Sequence, residues 1–243
     1  MAGDLTALDS YGWEALKKSL NQRLVINRIR LVPSKRNRVW VAETDVRPVI
    51  VKQSLSGRAG NEFEELLVAR KAGIDVPYPL FMDGDYLILE YVQGDTCDTM
   101  INHLFSLEVA EKIGVWLARF HEKMPSDGLP RIRGDSVLSN FVFSEGKVFG
   151  LDLEDSGPGD PLDDLGQIVA SILGSEPFFT PIKFDLCLRL IESYGKEARV
   201  DVVDLARPYI SKHLRLYAKA KPLFGRTFVS AAKSIERGWP DLA

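Results

Sequence analysis

Apolar residues recur at helical spacing over residues 5–20 (Leu5, Leu8, Trp13, Leu16, Leu20), and then the rhythm changes. RLVINRIRLV, RVWVAET and PVIVKQS are short, β-branched segments parted by the turn-like PSKRN and DVRP. They predict three strands of an antiparallel meander. GNEFEELLVARKAG has a polar start, a glycine stop and an apolar stripe through Phe63, Leu66 and Leu67, and so predicts a helix. YPLFMDGDYLILEYV predicts two more strands about a DGD turn. From DTCDTMINHLF onward the pattern is mostly helical, interrupted by the strand-like NFVFSEGKVFGLDL around its own SEGK turn. A β-rich half with one main helix ahead of a larger helical half predicts an α+β fold of two lobes. The expected division is an N-terminal helix over residues 1–20, a first lobe over 21–92 and a second over 93–243, with the junction near Gln93-Gly94. A cleft between two lobes is the default place for a ligand.

Length and composition fit that outline: 243 residues, 45% of them hydrophobic, suit one large domain or two lobes with a proper core. Cys97 and Cys187 lie far apart, with no Cys-x-x-Cys or Cys/His ligand spacing, which argues against disulfide scaffolds and zinc ribbons. The first residues lack the basic-then-apolar signal pattern. No apolar run approaches the ~20 residues that span a bilayer. The expectation is a cytoplasmic protein with no membrane partner. Net charge is −3, but Leu205 to Ala243 carries eight Lys/Arg against two acidic residues. Such a segment either docks an anionic partner or supplies the solvated faces of C-terminal helices.

Several polar positions fall where the pattern calls for apolar ones. Lys52 ends the strand PVIVK, where a lysine either reaches outward or is held inward by an anion. Glutamates 62, 64 and 65 follow on the next helix; by the 100° step, Glu62 and Glu64 flank the apolar stripe and Glu65 points nearly opposite to it. IRGDSVLSNF places Asp135 five residues before Asn140, and GLDLEDSGPGDP places Asp152 after a strand beside a glycine-rich loop. Oxygen donors of this kind suit a hard cation such as magnesium. Taken in order, a strand lysine, a helix glutamate, a hinge, Asp-x-x-x-x-Asn and a hairpin ending in Asp match the parts of phosphoryl transfer.

Over about residues 25–175 the chain resembles the protein-kinase-like superfamily, particularly its compact branch of aminoglycoside- and choline-type phosphotransferases, lipopolysaccharide kinases and small atypical protein kinases. LARFHEKM, RGDSVLSN and GLDLEDSGPGDPLDDLG are similar, in order, to that branch's Leu-His helix end, its His-Gly-Asp loop with Asn, its Ile-Asp-Trp-Glu metal motif and its Gly-Asp-Pro…Asp-Leu helix start. The resemblance implies a bilobal kinase fold, with an antiparallel first lobe carrying one main helix and a mainly helical second lobe. It implies Asp135 as catalytic aspartate, Asn140 and Asp152 as ligands of Mg²⁺ or Mn²⁺, Lys52 on the ATP phosphates and Glu62 as its ion-pair partner. It further implies Glu90 to Val92 as the hinge that hydrogen-bonds adenine, Asp164 and Arg133 as supports of the catalytic loop, and His121 as a packing residue.

Three positions depart from the family pattern. Arg133 stands where His is usual, and Val137 stands where many protein kinases place a lysine. VPSKRNRVWV has no Gly-rich loop, so its amides, with Ser34, Lys35, Arg36 or Arg38, are expected to cover the phosphates, though less closely than glycine allows. The expected function is transfer of the γ-phosphate of ATP to a hydroxyl acceptor. The short segment behind the metal motif favours a small molecule or sugar. An atypical serine/threonine protein kinase is the second reading, and a nucleotide-binding pseudokinase scaffold is the third.

Overall fold

The computed structural model describes residues 8–19, 26–126 and 128–239. The chain runs through α1 (Ser10–Ser19), β1 (Ile26–Val32), β2 (Arg38–Thr44), β3 (Val49–Gln53), α2 (Ala59–Lys71), β4 (Pro79–Asp83) and β5 (Tyr86–Glu90). The five strands form one antiparallel sheet in the order β1-β2-β3-β5-β4. Alternate residues Trp40, Ala42, Val49, Val51, Tyr86 and Ile88 cluster with Leu8 and Ala15, while Trp13 packs against them. The intervening Val41, Leu87 and Leu89 are buried as well, so both faces of the sheet are covered.

α1 begins later than the spacing of its leucines predicts. Asp9 accepts the Gly12 amide through Oδ1 at 2.9 Å, and its carbonyl accepts the Trp13 amide at 3.0 Å. That is N-capping geometry, and it starts the helix at Ser10 with Leu8 ahead of it. Leu5 and Leu20, and the first residues of RLVINRIRLV, lie outside the described residues.

After β5 come β6 (Asp95–Thr96), α3 (Cys97–Asn102), α4 (Leu107–Lys123), β7 (Arg131–Ile132), β8 (Phe141–Ser144), β9 (Lys147–Gly150) and β10 (Gly157–Pro158). Four helices close the chain: α5 (Pro161–Leu173), α6 (Pro181–Ala198), α7 (Val203–Ala220) and α8 (Gly225–Arg237). The caps follow from the sequence: Thr96, Ser106 and Asp160 each accept an amide of the helix they precede. Proline opens α5 and α6, where its missing N–H costs nothing. β8 and β9 form the expected hairpin; Glu145 and Gly146 both take positive φ, 48° and 76°, as a two-residue hairpin turn requires. α4 packs on α6, α5 on α7, and α7 on α8.

By internal contacts the chain separates into two compact units, Met1–Lys71 with Val76–Gln93, and Ala72–Asp75 with Gly94–Ala243. The short Ala72–Asp75 piece joins the second unit because the Asp75 carbonyl accepts from the Gly150 amide at 3.0 Å and from Trp116 Nε1 at 2.8 Å. No described helix is long and apolar enough to cross a membrane. Both cysteines are buried free thiols.

Candidate phosphoryl-transfer site

In the first unit, β3 carries Lys52 inward. Its Nζ lies 2.6 Å from Glu62 Oε2, with 6% of the lysine and 1% of the glutamate side chain exposed. The pair joins a central strand to the first turn of α2, where a negative charge also suits the helix dipole. The helix itself is rotated relative to the predicted stripe. Ala59, Glu62, Glu65, Leu66 and Ala69 are buried, Phe63 and Leu67 are half-buried, and Glu64 is exposed. The expectation that Glu65 points away from the core is therefore corrected. Hydrophobicity places the stripe on Phe63, Leu66 and Leu67, of which Leu66 alone is fully buried; the ion pair draws Glu62 itself into the interface, and Glu65 turns in beside it.

The β1–β2 turn leaves Ser34, Lys35 and Arg36 exposed. Asn37, a residue the sequence gives no reason to single out, is buried beneath them. Its Oδ1 accepts the Leu55 amide at 3.1 Å, while its own amide donates to Ser34 Oγ at 3.4 Å. At the end of β5, the Glu90 amide donates to the Tyr78 carbonyl at 2.9 Å, and its carboxylate accepts the Tyr78 amide at 3.0 Å. Val92 is half-buried two residues on.

In the second unit, α5 presents one acceptor per turn to the loop that follows β7. Asp164 Oδ2 accepts the Arg133 amide at 2.6 Å and Asp164 Oδ1 the Gly134 amide at 3.0 Å. Gln167 Oε1 accepts the Ser136 amide at 2.7 Å, and Ser171 Oγ the Leu138 amide at 3.3 Å. Residues spaced by three and four share one helix face, so a single face of α5 fixes the loop residue by residue. Gly134 must be glycine: its φ is 82°, and a Cβ there would stand 2.4 Å from the Asp155 carbonyl oxygen. Asn140 Nδ2 donates to the Asp135 carbonyl at 3.0 Å and to Asp135 Oδ2 at 3.1 Å. That use of the amide nitrogen leaves the Asn140 side-chain oxygen as an acceptor. Asp152 follows β9 with φ 59°, a left-handed conformation that Asp tolerates better than most residues. Its carboxylate lies within 4.8 Å of that of the buried Glu154. The donors are all oxygen, the set a hard divalent cation takes.

His121 packs, as its place in the motif implies, and also joins the hydrogen-bond network. Its Nε2 donates to Asp164 Oδ2 at 3.0 Å and its Nδ1 meets the Tyr194 hydroxyl at 2.9 Å. Burial raises the Asp164 carboxyl, but the His121 and Arg133 contacts outweigh it and hold the group below the ordinary carboxylate value. Burial pushes the Tyr194 phenol up to about 12. A depressed folded-state carboxyl contributes stability above its unfolded value of about 3.9, and that contribution is lost as pH falls through the folded value. Acid melts from pH 6 downward are expected to show wild type losing stability below about pH 4 more steeply than Asp164→Asn. The variant is also expected to be less stable at pH 7 by about 2 kcal/mol or more, since one loop amide loses its acceptor. Parallel curves with no offset would contradict this role.

Several of the basic C-terminal residues are engaged within the chain. Lys212 Nζ is 2.6 Å from Asp163 Oδ1, Arg215 Nη2 is 2.9 Å from Glu236 Oε1, and Lys221 Nζ donates to the Gly174 carbonyl at 2.9 Å. Tyr209 donates to Asp160. α7 thus braces α5 along its length, which favours the helix-face reading of the charge excess over docking of an anionic partner.

No family model matches the sequence. The KEOPS complex subunit Bud32 of Pyrococcus abyssi is 29% identical over 89 residues, an alignment covering 35% of this chain and 38% of that protein. Solved structures align over nearly the whole chain. The amicoumacin kinase hAmiN, in complex with AMP-PNP, Ca²⁺ and amicoumacin, superposes with a TM-score of 0.64 at 13% identity, covering 93% of each chain. The streptomycin–ATP–APH(2")-IIa ternary complex gives 0.62 at 15% identity, covering 95% of this chain and 99% of that one. An ethanolamine kinase of Plasmodium vivax gives 0.60 at 10% identity, covering 86% and 81%. The chain has the α+β protein-kinase-like fold in the form shared by aminoglycoside phosphotransferases and choline/ethanolamine kinases.

Proposed function

We propose that this chain is an ATP-dependent phosphotransferase acting on the hydroxyl of a small molecule or sugar. The observation that carries the reading is the loop bearing Asp135 and Asn140, fixed amide by amide to α5. Such pre-organisation is what in-line phosphoryl transfer needs, since its catalysis is mostly positioning and charge stabilisation.

In this reading Asp135 orients the acceptor hydroxyl and receives its proton as the oxygen attacks the γ-phosphorus. Lys52, held by Glu62, binds the nucleotide phosphates, and the backbone from Glu90 to Val92 takes adenine. The β1–β2 turn with Ser34 and Arg36 covers the phosphates. Asn140 and Asp152 hold Mg²⁺ or Mn²⁺, and Glu154 stands close enough to Asp152 to support it. The metal, when bound, neutralises phosphate charge and fixes the leaving group. Two features support a small acceptor: α5 begins nine residues after Asp152, leaving little room for a peptide-binding segment, and the neighbouring structures hold streptomycin and amicoumacin. The Bud32 similarity supports a serine/threonine protein acceptor as the second reading.

Millimolar ATP with Mg²⁺ or Mn²⁺ is expected to raise the melting temperature of the full chain, as a ligand of the native state does. Asp152→Ala is expected to remove the metal-dependent part of that shift. No shift with either metal would end both the kinase and the nucleotide-scaffold readings. ATP consumption across a panel of amino sugars, amino alcohols and generic protein acceptors then separates the two acceptor classes.

A further inference from the structure

Arg133 is among the largest fully buried side chains of the described residues. Burial lowers its pKa from the usual arginine value, and the charges of Asp164, Asp152 and Asp135 oppose that shift. Both terminal nitrogens of the guanidinium donate to backbone carbonyls, whereas Nε has no hydrogen-bond partner among the described residues. Nη1 donates to Asp135 O at 2.8 Å; Nη2 donates to Leu151 O and reaches Asp152 O at 3.3 Å and Asn140 O at 3.5 Å. Its carbon centre stands 4.5 Å from the Phe141 ring centroid and 5.9 Å from that of Trp116.

These carbonyls belong to two separate segments. Asp135 and Asn140 lie on the loop after β7, and Leu151 and Asp152 leave β9. A planar fork with donors on both arms spans them, whereas the point charge of a lysine addresses one spot. A neutral imidazole, the family's usual group here, brings a single N–H. The buried cation is also attracted by the carboxylates of Asp164, Asp152 and Asp135.

We infer that Arg133 is a positioning residue that sets Asp152 against Asp135 and Asn140, so that their oxygens meet a divalent metal as one preformed set. This rests on the reading of Asn140 and Asp152 as metal ligands. Partners that orient metal ligands without touching the metal commonly hold a factor of about 10 to 100 in affinity.

The test is Mn²⁺ binding to the ADP-saturated full chain, followed by the paramagnetic resonance of free Mn²⁺. Arg133→Lys and Arg133→Gln are each expected to weaken Mn²⁺ binding by about tenfold or more. Leu190→Ala, a core truncation on α6, is expected to lower stability comparably and leave Mn²⁺ affinity unchanged. Phe141→Leu keeps the arginine but removes a ring beside it, and is expected to weaken binding by about threefold. Wild type that binds no Mn²⁺ overturns the metal-site reading. Wild-type affinity in folded Arg133 variants overturns the positioning role alone, and if those variants do not fold, unchanged affinity in Phe141→Leu does the same.

Discussion

Lys52→Met is expected to lower phosphoryl transfer by about 10²-fold or more, the scale on which a single pre-organised charge contact at a reacting phosphate acts. Glu62→Gln, which leaves the lysine present but less firmly aimed, is expected to lower it less. The double variant is expected to be no slower than Lys52→Met, because both residues act on one contact. Stability supplies a second, independent readout. Losing the lysine strands the nearly inaccessible Glu62 carboxylate, at a cost of about 3 kcal/mol. Removing the glutamate's charge as well is expected to restore most of that loss, since a buried ion pair replaced by neutral groups is often nearly neutral. Denaturant melts and initial rates on the four proteins of the cycle measure both. Additive effects in each would mean that another glutamate serves the lysine, and the buried Glu65 would be the one to examine, not the exposed Glu64.

Much of the fold was legible because its elements are local. The meander strands carry β-branched alternation, the SEGK turn has the glycine its φ demands, and Asp160-Pro161 announces a helix start. Candidate site residues that stand out against an apolar background, such as Lys52 in PVIVK, are legible for the same reason. What the sequence concealed depends on partners distant along the chain. Gln167 and Ser171 look like ordinary polar positions of an amphipathic helix until the loop amides they accept are seen. Asn37 reads as a turn former, yet its carboxamide secures Leu55 eighteen residues away. The buried face of α2 differs from its most apolar one because side-chain hydrophobicity cannot anticipate a buried ion pair. Arg133 was legible as a departure from the family motif, but its reach across two segments depends on the path of β9.

Asp135→Asn addresses the catalytic claim. The substitution keeps shape and the capacity to hydrogen-bond, so ATP affinity is expected to stay almost intact, because the nucleotide contacts assigned above belong to other residues. Proton acceptance from the hydroxyl is lost, and turnover is expected to fall by about 10²-fold or more, the range for a positioned general base. Asn140→Ala is expected to differ by raising the metal concentration required as well as slowing transfer. The decisive measurement is single-turnover transfer of the γ-phosphate from ATP, with Mn²⁺ and an accepted hydroxyl compound, by wild type and Asp135→Asn under matched nucleotide occupancy. The account predicts rapid transfer by wild type and at least about a hundredfold slower transfer by the variant. Equal rates would contradict Asp135 as the catalytic base, and ATP bound by both with no transfer by either would make the chain a nucleotide-binding scaffold instead of an enzyme.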